Sequence, residues 1–111
     1  MDSQLNYRQI VKNILQEYAQ YKPVNVDVTS ALSFDDEHGH YVLLHFGWDY
    51  KKYLNHVVLH LQIIGDKIWI QNDETEEGIA TDLLELGVPK EQIVLGFKHP
   101  NIRPYTEFAT V

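Results

Sequence analysis

Apolar residues recur at spacings of three and four near the start of the chain. Tyr7, Ile10, Val11, Ile14, Leu15 and Tyr18 fall on one stripe, as they do on a helix with a single buried face. The pattern predicts a helix of about 18 residues, capped by Asp2 or Ser3 and ending before Pro23. The period then drops to two: Val24, Val26, Val28, Leu32 and Phe34 share one parity, with Asn25, Asp27 and Thr29 on the other, which is a strand with one wet face. The segment "DDEHG", Asp35 to Gly39, reads as a polar hairpin turn with glycine at a left-handed position. Its carboxylates lack the spacing of an EF-hand loop and are read as solvated. Strands are predicted at His40 to Trp48 and His56 to Ile64, joined by a loop from Asp49 to Asn55, with a fourth at "KIWIQ" after Gly65 and Asp66.

From Asp73 the helical period returns. Ile79, Ala80, Leu83, Leu84 and Leu86 form a stripe, and Asp73 with Glu76 is read as a capping box. Gly87 stands where a helix turns left-handed at its end, and Pro89 prevents continuation. "QIVLGF" is a short apolar strand, and "KHPNIRPYTEFATV" reads as an extended tail. With no repeat, low-complexity tract or linker, residues 1–111 are read as one domain. The fold class expected is α+β, a mostly antiparallel sheet of four to five strands with an N-terminal helix and a second helix packed on one face.

Four of the six histidines lie between His40 and Gln62. Taking Val42, Leu44, Phe46, Trp48, Val57, Leu59, Leu61 and Ile63 as the core face puts His45 on the outer face with Tyr41 and Leu43. His56, Val58, His60 and Gln62 join them there. His45 then faces His56, Val58 or His60 across the hairpin, close enough for two imidazoles to share an ion. A metal site would need a further ligand, such as Asp49 or Asp66, and no HExxH spacing is present. The histidines are therefore read as polar members of a contact face, and no metal, cofactor or catalytic residue is assigned. A half-apolar outer face implies a cover, either a second copy in a homodimer or a partner protein.

Charge narrows the choice of partner. Nine Lys and Arg against sixteen Asp and Glu give −7, the wrong sign for unaided binding to a phosphate backbone. Seven acidic residues and one lysine between Asp73 and Glu91 carry −6 of that total. Only Lys51, Lys52, Lys98 and Arg103 speak for direct nucleic-acid contact. Arg103, with Tyr105 beside it, is read as an exposed tail arginine able to clamp a carboxylate or phosphate. The chain has no cysteine, which excludes disulfides and thiolate chemistry. It starts "MDSQLNYRQ", without a basic and apolar leader, so a cytoplasmic protein without a membrane segment is expected. Phosphate-loop, dinucleotide and nucleophile-elbow motifs are missing.

Several blocks in order, "YRQIVKNILQEYAQYKP", "HFGWD", "GDKIWIQ", "GVPKEQIVLGF" and "RPYTEFATV", make the chain resemble the XisI family. The resemblance implies a small α+β controlling factor for excision of the fdxN element, a developmentally regulated DNA rearrangement in cyanobacteria. It implies action beside a site-specific recombinase and beside XisH, a nuclease-like partner. No catalytic residues carry over from it. Between "GWD" and the third strand this chain reads "YKKYLN", where the family resemblance leads one to expect an arginine and often a glycine. Lys51 and Lys52 keep the charge there without the bidentate geometry. The resulting expectation is a non-enzymatic regulatory subunit. Its candidate interaction residues are His45, Trp48, His60, Glu76, Glu77, Asp82, Arg103 and Tyr105, with the acidic stretch occupying a basic groove on the partner. Small-enzyme chemistry on a His45/His60 face and direct DNA binding are the alternatives.

Overall fold

The computed structural model describes residues 6–21 and 27–111. The expected caps Asp2 and Ser3, and the strand positions Val24 and Val26, lie outside them. Helix α1 spans Tyr7–Tyr18, and its N-cap is Asn6, whose side chain accepts a hydrogen bond from the Gln9 amide. Strands β1 (Asp27–Asp35), β2 (His40–Asp49), β3 (Lys52–Ile64) and β4 (Lys67–Asp73) follow, then helix α2 (Ile79–Glu85) and strand β5 (Ile93–Leu95). The five strands form one sheet in sequence order. Its first three pairings are antiparallel and β4 with β5 is parallel. The expected α+β fold with a mostly antiparallel sheet is what the chain adopts.

Both helices lie on one sheet face. Val11, Ile14 and Leu15 of α1 and Ile79 and Leu83 of α2 pack with Tyr41, Leu43, Leu59, Leu61, Ile68, Ile70 and Ile93 in a single core. The Tyr18 hydroxyl of α1 donates to Asp82 of α2 at 2.5 Å and ties the helices together. Burial and that bond push the tyrosine's pKa upward.

Three local readings are corrected. The expected seven-residue loop after β2 is a tight turn, because Asp49 pairs with Lys52 and leaves only Tyr50 and Lys51 between them. Tyr50 takes the left-handed φ of 56° this requires. The second helix begins at Ile79, so Asp73 is not in a capping box. It ends β4, and its carboxylate accepts from the Thr75 amide and hydroxyl and reaches the Ile79 amide at 2.7 Å. One side chain thus organises the turn and satisfies an orphan amide at the helix start. Asp73→Ala is expected to cost about 1–2 kcal/mol by chemical denaturation, whereas Glu76→Ala, which removes the presumed box partner, should change little. At the other end Gly87 (φ 94°) and Val88 return amides to Leu84 and Leu83, the pair of bonds that closes a helix through a left-handed residue.

The inner side of β2 is also not the expected one. Tyr41 and Leu43 are 0% and 1% exposed, whereas Val42, Leu44 and Phe46 are partly exposed and Trp48 is 51% exposed. The expected core parity is inverted on this strand. Twelve residues of helix span about 18 Å, while β2 with ten residues spans about 33 Å. The helix side therefore needs few apolar positions, and Tyr41 serves there because its hydroxyl reaches Asp36 at 2.7 Å. Burial and this bond raise the tyrosine's pKa to about 12.

Candidate functional site

The outer face of the sheet is shaped by register slips between β2 and β3 and, at His60/Leu61, between β3 and β4. Opposite Leu43 and Leu44 the register slips so that Leu43 faces Leu59 and Leu44 faces Val57, leaving Val58 as an extra residue. The freed carbonyls are not orphaned, since the Asn72 side chain donates to Val57 O at 2.9 Å and the Glu74 amide donates to Val58 O. A bulge of this kind moves every later residue of the strand to the opposite face. His56 accordingly pairs with His45 on the helix side, while His60 pairs with Val42 on the outer side. The His45/His60 face expected from strict alternation does not exist as one surface.

His45 belongs instead to a row crossing three strands, with Ser30 opposite it on β1 and His56 opposite it on β3. The His45 and His56 rings meet edge to face at 5.9 Å, and His56 Nε2 lies 3.5 Å from Glu74. Ser30 Oγ and His45 Nε2 are buried with no hydrogen-bond partner among the described residues. Burial, then the neighbouring His56, holds the His45 pKa below its ordinary 6.5, with Glu74 pulling the other way. On the outer side burial, then His40, lowers that of His60. Both folded-state values lie below the unfolded ones, so on acidification the unfolded chain takes up protons first. Stability should therefore fall as pH drops below 6.5. The thermal midpoint is expected to be lower near pH 5.5 than near pH 7.5, and the drop shallower in a His45→Gln, His60→Gln double variant. Equal slopes in the two proteins would show that other groups govern this window.

The outer face carries His40, Val42, Leu44, Phe46 and Trp48 from β2. Facing them are Asp35, Ser33, Ala31, Thr29 and Asp27 on β1, and Gln62, His60, Val57, Asn55 and Tyr53 on β3. Small side chains along β1 leave the Val42, Leu44, Phe46 stripe standing clear on that flank. Trp48 and Tyr53, each 51% exposed, meet edge to face at 5.1 Å and extend the stripe to the hairpin tip. Gly47 can only be glycine here, because a Cβ at its φ of 144° would lie 2.2 Å from the Asp27 carbonyl of the neighbouring strand.

Where β4 and β5 meet the same face, the chain covers itself. Arg103 is buried, at 8% exposure, with its guanidinium 5.1 Å from the Trp69 ring centre. Nε donates to Lys98 O at 3.0 Å, and the two terminal nitrogens donate to Thr110 O and Gly96 O, each at 3.3 Å. Arg103 is thus not the exposed tail arginine expected, nor is the tail extended. Residues 103–105 form a 3-10 turn and Ala109 bridges to Val94 beside β5. Tyr105 remains 87% exposed. Of the acidic candidates, Glu76 and Glu77 are exposed before α2, while Asp82 is engaged by Tyr18. They lie on the helix side, away from the apolar stripe. The carboxylates of Glu76, Glu77, Asp82 and Glu85 line one shallow depression there. Sequence reasoning missed Val42, Leu44, Phe46, Tyr53 and His40 as outer-face residues. The signal available was that β2 reads apolar on both parities.

Comparison with known proteins decides the family. A model described as XisI protein matches residues 1–110. The chain belongs to the XisI family. Among solved structures of the family, a XisI-like protein from Anabaena variabilis ATCC 29413 superposes with a TM-score of 0.87 at 35% identity, covering 95% of this chain and 96% of that one. The fdxN element excision controlling factor XisI from the same organism gives 0.80 at 38% identity with the same coverage. No curated protein matches. No group of three or more His, Cys, Asp and Glu is placed to hold a metal ion among the described residues of this XisI-family chain. Nor is any helix among them long and apolar enough to cross a membrane.

Proposed function

We propose that this chain is a controlling factor for programmed excision of a DNA element, and that it acts without chemistry of its own by binding a nuclease-like protein of the XisH type. The observation that carries the reading is the stripe Val42, Leu44, Phe46, Trp48 on a sheet face that neither helix covers. A strand with apolar residues on both sides is characteristic of a sheet buried on both faces. The family's association with excision supports the identity of the process, and the resemblance to the XisI family supplies the class of partner. Direct DNA binding loses one of its four cues, because Arg103 is used internally.

The acidic surface and the apolar stripe are separate contacts in this reading. The stripe supplies affinity, and Glu76 with Glu77 steers association toward a basic partner. The test is co-expression with an XisH-type protein followed by light scattering of the purified material. A complex of defined stoichiometry containing both chains is expected. Elution of this chain alone, whether as monomer or homodimer, with the XisH-type protein free, would overturn it.

A further inference from the structure

On the outer face, where β2 begins, stand two side chains that protein contact alone leaves unexplained. His40 pairs with Gln62, and His60 with Val42 one step along, so the two rings are diagonal neighbours on adjacent strands. Nδ1 of His40 lies 3.0 Å from Nε2 of His60, with ring centres 5.2 Å apart. At this distance two neutral imidazoles share a hydrogen, one nitrogen donating and the other accepting. The same separation suits a shared ion. Metal–nitrogen bonds of about 2.0–2.1 Å, at angles between square and tetrahedral, set two ligating nitrogens roughly 2.9–3.4 Å apart. The two nitrogens already stand at that separation.

We propose that His40 and His60 form a bidentate site for a divalent transition-metal ion of the imidazole-preferring group, zinc(II), nickel(II) or copper(II), with its remaining coordination positions open toward the uncovered face. The ring that donates in the metal-free pair shifts its proton to its other nitrogen, so both facing lone pairs become available with no net proton release. The surroundings suit this role. Asp35, opposite His40 on β1, is held by His38 at 2.8 Å. The Gln62 carboxamide is oriented by a bond from Gln71 at 3.1 Å. Two protein ligands alone make an incomplete site, to be finished by water or by a donor from whatever docks on the face. Metal binding by this pair is independent of the identity of the partner.

Copper(II) titration of chelator-treated protein, followed by electron paramagnetic resonance, tests the site. One equivalent is expected to show coupling to two nitrogens. That equivalent should be lost in His40→Gln and in His60→Gln, weakening by more than the roughly 10- to 100-fold that removal of an outer-shell partner costs. It should persist in His99→Gln, which changes an exposed histidine outside the strands. A second readout needs no variant: zinc(II) added to the wild-type chain should move the ring-nitrogen resonances of His40 and His60 together and leave those of His45 in place. Equal affinity and stoichiometry in the wild type and both outer-face variants would overturn the proposal. So would unmoved His40 and His60 resonances at equimolar zinc(II).

Discussion

Replacement of Arg103 by alanine is expected to destabilise the protein by about 3 kcal/mol, which for a domain of this size lowers the thermal midpoint by roughly 10–20 °C. The guanidinium donates to the carbonyls of Gly96, Lys98 and Thr110 and lies over Trp69. It thereby ties three points of the C-terminal segment to one another and holds them over Trp69 of β4. Hydrogen bonds from a charged donor contribute about 1.5–3 kcal/mol each in isolation. The sum is reduced because water can reach some of the freed carbonyls at the surface. Lysine should not rescue, since a single ammonium cannot span three carbonyls in a plane or stack on the indole. No carboxylate takes part, so the loss should be independent of pH between about 5 and 8. Equal midpoints for wild type and Arg103→Ala would mean that the tail holds the sheet by its backbone bridge alone.

Phe46→Glu is expected to weaken binding of the XisH-type protein by about 100-fold or more, because an unpaired carboxylate desolvated in an interface costs several kcal/mol. The free protein should barely register the change. Phe46 projects from the uncovered face and is partly exposed, so the glutamate stays hydrated and stability should shift by less than about 1 kcal/mol. That separation distinguishes an interface residue from a core residue. Leu43→Glu, three positions earlier on the opposite face and 1% exposed, should abolish folding and binding together. Titration calorimetry beside denaturant unfolding reads both quantities. A Phe46→Glu chain that folds and binds as tightly as the wild type would place the contact elsewhere, the acidic surface at Glu76 and Glu77 being next to examine.

Much of the architecture could be read from periodicity. The α1 stripe, the order of strands and the second helix's end at Gly87 all rest on interactions within a few residues, which local sequence encodes. What could not be read depends on distant partners. The bulge at Val58 is stabilised by Asn72 of β4 and by Glu74 directly after that strand, and nothing in "HVVLH" marks it. That single inserted residue separates His60 from His45 and makes it a neighbour of His40. The inverted parity of β2 has a different origin. Both parities are apolar, so hydrophobicity alone cannot choose between them, and the choice is made by how far α1 reaches and by Asp36 receiving the Tyr41 hydroxyl. Arg103 looked like a surface residue because its partners are backbone carbonyls, which leave no complementary charge to find in the sequence.

The ambiguity of β2 is itself the functional signal. Once Tyr41 and Leu43 are committed to the core, the stripe Val42, Leu44, Phe46 and Trp48 has no cover among the described residues beyond small β1 side chains and the partly exposed β3 row. A face of that composition, next to a region the chain covers with its own tail, marks the extent of the surface left for another molecule.

Side-chain radical footprinting of the chain alone and in complex with the XisH-type protein tests this most directly. Trp48 and Tyr53, each 51% exposed, should lose most of their oxidation in the complex. Tyr21, 73% exposed three residues beyond α1, should keep its own. Protection of Tyr21 with Trp48 and Tyr53 oxidised as before would contradict the assignment of the open sheet face as the binding surface.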